Sequence, residues 1–105
     1  MRAFCCWSGG KDSALACYRA MRQGHRIEAL LTMFNAGGRY TRSHRLPREL
    51  LLAQAEALGI PLVGGRASWK GYEGEFRRLV ARLRERGIEA GVFGDLYLPE
   101  HRRWT

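Results

Sequence analysis

The sequence predicts an α/β fold: a parallel sheet of about four strands with helices packed on its faces. Three helix-like segments each stop at a glycine and are followed within a few residues by isoleucine and an apolar run: Gly24 then Ile27, Gly59 then Ile60, and Gly87 then Ile88. Glycine tolerates the left-handed conformation that closes a helix. The short apolar runs that follow read as strands buried on both faces. Alternation of such strands with helices implies parallel pairing through right-handed crossovers, a Rossmann-like arrangement.

Taken in order, the first strand runs from Ala3 to Trp7 and passes through a short polar turn into a helix from Asp12 to about Gln23. The second strand, Ile27 to Phe34, leads into a long loop, Asn35 to Leu46, with a glycine pair and several basic residues. Pro47 suits a first helical turn, where its missing N–H has no helical partner to lose. A second helix therefore follows over Arg48 to Leu58, with Leu51, Ala55 and Leu58 on its inner face. The third strand, Pro61 to Gly64, ends in the loop Gly65 to Gly71, which carries Trp69 and Lys70. In the third helix Tyr72, Phe76, Leu79, Val80 and Leu83 recur at helical spacing and form the packing stripe, leaving Arg77, Arg78, Arg82 and Glu85 to water. Gly91 to Gly94 is the fourth strand. After Pro99 the chain reads as a helix opening and stops before an apolar face is completed, so the domain is expected to be truncated, with a continuation beyond Thr105. Loops after strand C-termini surround the ligand site in parallel sheets, so both long loops are candidates for contacts or lids.

A chain of 105 residues that is 46% hydrophobic fits one domain, able to bury a core without metal or disulfide staples. Its formal charge of +8 arises from 16 Arg and 2 Lys against 10 acidic residues and favours anionic partners such as nucleotides, phosphoesters or nucleic acid. The positive charges are spread along the chain, in short clusters such as Arg77-Arg78 that suit a solvated helix face. The basic tail of a nucleic-acid arm is missing, which makes nucleic acid the less favoured partner. Three cysteines, two of them adjacent, give neither a disulfide framework nor a C-x-x-C pair. With no signal-peptide core and no membrane-spanning stretch, the expected compartment is the cytoplasm, with no membrane partner.

The chemistry concentrates in Ser8-Gly9-Gly10-Lys11-Asp12-Ser13, set between an apolar strand and the helix that begins Ala14-Leu15-Ala16. The two glycines let the backbone take positive φ and approach an anion, while the first N–H groups of the helix point outward unpaired, aided by the helix dipole. Lys11 adds a mobile positive charge, and the Ser8 and Ser13 hydroxyls are donors for phosphate oxygens. Bare phosphate repels Asp12, which is therefore expected either to stabilise the helix start or to meet a nucleotide through Mg²⁺. The string is not a Walker A motif: Cys5 stands in place of its first glycine and Asp12 in place of Ser/Thr after the lysine.

S-G-G-K-D-S directly after the first strand resembles the S-G-G-x-D-S signature of the PP-loop ATP pyrophosphatases, the adenine nucleotide alpha hydrolase-like (HUP) superfamily. Val92-Phe93-Gly94-Asp95-Leu96-Tyr97, followed by Glu100-His101-Arg102, is similar to the G-D segment after the fourth strand in the diphthine–ammonia ligase family and its bacterial relatives. With Thr32-Met33-Phe34-Asn35 and the junction Glu56 to Pro61, the resemblance covers essentially the whole chain and about the N-terminal half of a family member. It implies cleavage of ATP between the α- and β-phosphates, adenylation of a carboxylate with release of pyrophosphate, and amide formation with ammonia. ATP and Mg²⁺ are the implied cofactors, an unidentified carboxylate is the acceptor, and a homo-oligomer is possible. By the same likeness adenine lies along the second strand near Thr32, Met33 and Phe34.

Catalytic roles are expected for Lys11 and for Asp95, which sits where a parallel strand ends and so binds metal, orients substrate or caps the next turn. His44 in the basic loop and His25 after Gly24 read as exposed and structural respectively, and the role of His101 stays open. Cys5, Cys6 and Cys17 read as small buried residues, the first two on opposite faces of their strand. An RNA-modifying PP-loop enzyme and a nucleotide-binding module without catalysis are the competing readings. Catalytic cysteines at C-x-x-C spacing would favour the first, and loss of the acceptor-binding half would favour the second.

Overall fold

The computed structural model describes residues 1–42 and 45–94. In chain order these form β1 (Arg2–Cys6), α1 (Lys11–Arg22), β2 (Arg26–Phe34), α2 (Arg48–Leu58), β3 (Leu62–Arg66), α3 (Tyr72–Glu85) and β4 (Ala90–Val92). The strands make one parallel sheet in the order β3-β2-β1-β4. The predicted Rossmann-like α/β architecture is therefore the observed one. Each glycine predicted to end a helix takes positive φ: Gly24 at 92°, Gly59 at 71° and Gly87 at 89°.

Two apolar layers sandwich the sheet. Ala3, Cys5 and Trp7 of the first strand region pack with Cys17 and Ala20 of α1 and with Leu51 and Ala55 of α2. Phe4 points the other way, with Leu79, Val80 and Leu83 of α3. The chain thus steps from β1 to β2 to β3 with α1 and α2 on one face, then returns under the opposite face through α3 and lays β4 on the far side of β1. That reversal makes the gap between the C-terminal ends of β1 and β4 the topological switch point, where open α/β sheets hold their ligands.

A bulge sets the register of the central pair. Ala3 pairs with Ile27 but Phe4 pairs with Ala29, so Glu28 is the extra residue. The insertion lets Ile27 and Leu30 share the α1/α2 face while Ala29, Leu31 and Met33 turn to α3. Strict alternation along the predicted strand would have put Ile27 with the second group. The displaced Glu28 carboxylate accepts two hydrogen bonds from Arg2, from Nε at 2.8 Å and Nη2 at 2.6 Å.

One predicted core residue is misplaced. Leu51 and Ala55 are buried as expected, whereas Leu58 is 46% exposed. The left-handed turn at Gly59 swings the chain inward one step later, and Ile60 supplies the buried side chain instead. Among the described residues no helix is long and apolar enough to cross a membrane.

Candidate functional site

The end of β1 is fixed from three directions before the polar loop begins. Trp7 donates its backbone N–H to Leu31 O at 2.8 Å, and the buried Thr32 hydroxyl donates to Trp7 O at 2.7 Å. From α2, Gln54 accepts from Trp7 Nε1 at 2.8 Å and donates through Nε2 to Gly9 O at 3.4 Å. Gly9 itself takes φ +86°, and a Cβ there would lie 2.7 Å from Leu46 Cδ1 and 3.2 Å from Leu51 Cδ1. The loop backbone is therefore pressed onto α2 and the residues before it, in a conformation that glycine adopts without strain.

Inside the loop the two serines brace the backbone. Ser13, 3% exposed, donates its hydroxyl to Gly10 O at 3.1 Å and accepts from Ser8 N–H at 3.3 Å. The Ser8 and Ser13 hydroxyl oxygens lie 3.2 Å apart, and Ser8 Oγ accepts from Gly10 N–H at 3.2 Å. Since the single Ser13 hydroxyl proton is directed at Gly10 O, Ser13 shapes the loop, and Ser8 is the hydroxyl better able to turn outward.

The result is an open helix start. Gly10 is the N-cap of α1, and no side chain caps it. The first intrahelical bond runs from Ala14 N–H to Gly10 O at 3.3 Å, which places the N–H groups of Lys11, Asp12 and Ser13 ahead of the helical ladder. Their partial positive charge is the positive end of the helix dipole. Lys11 and Asp12 are exposed, and neither forms an ion pair with a described residue. Asp12 is thus in the first turn without capping it. Gly94, after β4, closes the other wall: a Cβ on it would meet Ser13 N at 3.0 Å and Asp12 C at 3.1 Å. The loop after β1 and the chain leaving β4 meet backbone to backbone at the switch point.

This geometry suits an anion, with N–H groups, a mobile cation and no capping carboxylate in the way. Among the described residues no group of three or more His, Cys, Asp or Glu could hold a metal. A divalent ion beside Asp12 would draw its remaining ligands from phosphate oxygens and water, the usual habit of Mg²⁺.

The predicted residues divide into two groups. Ser8, Gly9, Gly10, Lys11, Asp12 and Ser13 come together as one cradle. Thr32, Met33 and Phe34 are 3%, 8% and 1% exposed, and lie beneath and beside it with their side chains inside the core. Met33 O accepts from Arg42 N–H at 3.1 Å and Phe34 O from Ala67 N–H at 3.3 Å, so the main chain here holds the two long loops in place. Asp95, His44 and His101 lie outside the described residues. The sequence places Trp7 at the end of the first strand and Gly94 in the G-D segment without giving either a part in the loop, and it passes over Gln54. Gln54 left one signal: a polar residue three positions after Leu51, at core spacing on an apolar helix face.

The cysteines are part of the frame. Cys5 and Cys17 are buried, and Cys6 is half-buried on the opposite face. Burial pushes the Cys6 thiol up to about 12, and a hydrogen bond with Cys17 together with burial raises Cys5 as well.

Compared with protein families, residues 1–105 match the model of the diphthamide synthase N-terminal domain. No curated protein matches the chain significantly.

Proposed function

The chain belongs to the diphthamide synthase N-terminal domain family, a PP-loop family that uses ATP, and from that premise we propose that residues 1–105 form a single MgATP-binding domain, the nucleotide half of an ATP-dependent amide ligase. In this reading the protein joins AMP to a carboxylate with release of pyrophosphate, and ammonia then displaces AMP to leave the amide. The observation that carries it is the uncapped start of α1 at the switch point, preceded by a glycine loop and flanked by Lys11.

Bound ATP would supply an electrophilic α-phosphorus and a pyrophosphate leaving group. The N–H groups of Lys11, Asp12 and Ser13 and the Lys11 ammonium hold the phosphates and stabilise the charge that builds on the departing side. Ser8 donates to a phosphate oxygen, while Ser13 keeps the loop in register. Asp12 takes the Mg²⁺, and Asp95, beyond Gly94, is assigned to the metal or the acceptor. The adenine is placed, by family likeness, at the C-terminal end of β2, near Thr32 to Phe34. Ammonia delivery is assigned to parts of the family architecture outside an N-terminal domain or to a second copy of this chain.

Calorimetric titration with MgATP and MgGTP, in the wild type and in Lys11→Ala, tests this reading. Selective MgATP binding that weakens by about 1–3 kcal/mol in the variant is expected for a charge-assisted phosphate contact. An unchanged affinity would remove Lys11 from the site, and no ATP binding by the wild type would sink the proposal.

A further inference from the structure

The loops after β2 and β3 carry a surface of different chemistry from the phosphate cradle. Residues 35–47 and 66–71 contain Arg39, Arg42, Arg45, Arg66 and Lys70 and no Asp or Glu. None of these five cations forms an ion pair with a described residue. Within the second of these loops Trp69 is 75% exposed, the most open of the large apolar side chains among the described residues.

Trp69 is nevertheless held in place. The Arg42 guanidinium lies over its ring, 5.0 Å from the centroid, and donates through Nη1 to Ala67 O at 3.1 Å. Tyr72 leans against the same indole with centroids 5.7 Å apart, and stacks in turn on Phe76 at 6.3 Å. Both are half-buried against the α3 layer. Arg42 Nε is buried and has no hydrogen-bond partner among the described residues, a cost that a merely solvated arginine would escape by turning outward. Arg66 lies against Gly38, which ties the two loops into one surface.

We propose that this surface is the acceptor subsite, and that the acceptor is a small carboxylate carrying a planar aromatic or heteroaromatic ring. The ring stacks on the open side of Trp69, and its anionic groups settle among Lys70, Arg66 and Arg39. The proposal rests on the ligase reading above and names its substrate class. An adenine ring is neutral and is read by hydrogen bonds, so it gives no reason for five cations without carboxylate partners. A strand of RNA stacks successive bases on successive aromatic faces, whereas here Tyr72 and Phe76 are half-buried and one face is open. The loops after β2 and β3 leave the same edge of the parallel sheet as the loop after β1, which puts this surface and the phosphate cradle on one edge with room for both ligands at the same time.

The test uses the whole chain with and without saturating MgATP, and 2-naphthoate as probe against cyclohexanecarboxylate, which has the same charge without the planar ring. Tryptophan emission and calorimetry are the readouts. The expected result is naphthoate binding undisturbed by MgATP, with cyclohexanecarboxylate about tenfold weaker and Trp69→Ala and Arg42→Ala each losing about tenfold, the size of one stacking contact. Trp69→Phe should recover part of the loss, and MgATP affinity should hold in all three variants. Equal binding of the two carboxylates, or no naphthoate binding, overturns the proposal. Displacement of naphthoate by MgATP would give the platform to adenine, and oligouridylate binding lost in Trp69→Ala would give it to RNA; either overturns it. The MgATP titrations of wild type and Lys11→Ala report separately on the ligase reading, so the two failures are distinguishable.

Discussion

The two ends of the sheet treat their charges in opposite ways. At the N-terminal end Arg2 and Arg26 both reach Glu28, at 2.6 and 3.9 Å, and on the exposed side of α3 Arg77 and Arg78 meet Glu73 and Glu75 at 3.1 and 2.8 Å. At the C-terminal end the side-chain cations of Lys11, Arg39, Arg42, Arg45, Arg66 and Lys70 form no ion pair with a described residue, and Arg48 lies over the Phe34 ring instead. The net charge of +8 is therefore not spread evenly as a solvating coat. A large share sits where strand ends and a helix N-terminus converge, in an arrangement that repels itself until an anion arrives.

The largest effect should come from the backbone that shapes this end. Gly9 and Gly24 have nearly equal positive φ, 86° and 92°, but a Cβ on Gly9 meets Leu46 and Leu51 while one on Gly24 meets nothing within 4 Å. Gly9→Ala and Gly24→Ala thus share the left-handed strain, about 1–2 kcal/mol, and differ in packing. Gly9→Ala is expected to abolish MgATP binding and to lose more stability than Gly24→Ala, which should bind normally. Denaturant melts and titrations of the pair measure this, and equal behaviour would break the contrast between the two ends.

A smaller loss is expected from Ser13→Ala. Removing that hydroxyl leaves Ser8 N–H without its partner and Gly10 O with only the Ala14 N–H, at a cost of about 1–3 kcal/mol, and frees the loop. Weaker MgATP binding should accompany the lower melting temperature. Stability lost with affinity intact would mean that the loop shape Ser13 enforces is not the one the nucleotide uses.

Below that stands the relief of repulsion by an anion. Pyrophosphate at 100 times its Kd should stabilise the native state by about 2.7 kcal/mol if it binds only the folded chain, a rise of several degrees in Tm. The gain should shrink in Lys11→Ala and remain in Glu28→Gln, whose substitution lies at the other end. A rise that is equal in both variants would place the anion away from α1.

How much of this was legible in the sequence follows from the range of each interaction. The β/α rhythm is local: a glycine that must turn left-handed and an apolar run after it can be read one segment at a time, and Gly24, Gly59 and Gly87 behaved as read. The glycine loop with its uncapped helix start was legible for the same reason, since Ser8 to Ser13 are contiguous. What was hidden depends on partners distant along the chain. Glu28 becomes a bulge because Arg2 and the helices on each face settle the register. Gln54 reaches the loop only once α2 packs beside β1. Thr32, Met33 and Phe34 looked like ligand contacts by family likeness, and the fold encloses their side chains because helices cover both faces of the sheet at β2.

The smallest predicted effect belongs to the paired carboxylates, Glu28 at the N-terminal end of the sheet and Glu75 in the first turn of α3, and concerns acid. Hydrogen bonds from Arg2 hold the Glu28 carboxyl below its ordinary value of 4.5, and those from Arg78 do the same for Glu75. Both carboxyls bind protons less readily in the folded chain than in the unfolded one. Their contribution is complete above pH 4.5 and disappears as pH falls through the depressed values. Both pairs are open to solvent, where screening keeps such contributions slight. Glu28→Gln and Glu75→Gln should therefore change Tm little at pH 7 and flatten its fall below pH 4.5. At the C-terminal end the matching substitution, Lys11→Ala, removes a cation without a carboxylate partner and should leave the acid limb unaltered. Melting curves from pH 3 to 7 decide the matter: an acid limb that flattens in Lys11→Ala would reveal a carboxylate answering that end of the sheet, and the contrast between the two ends would fail there.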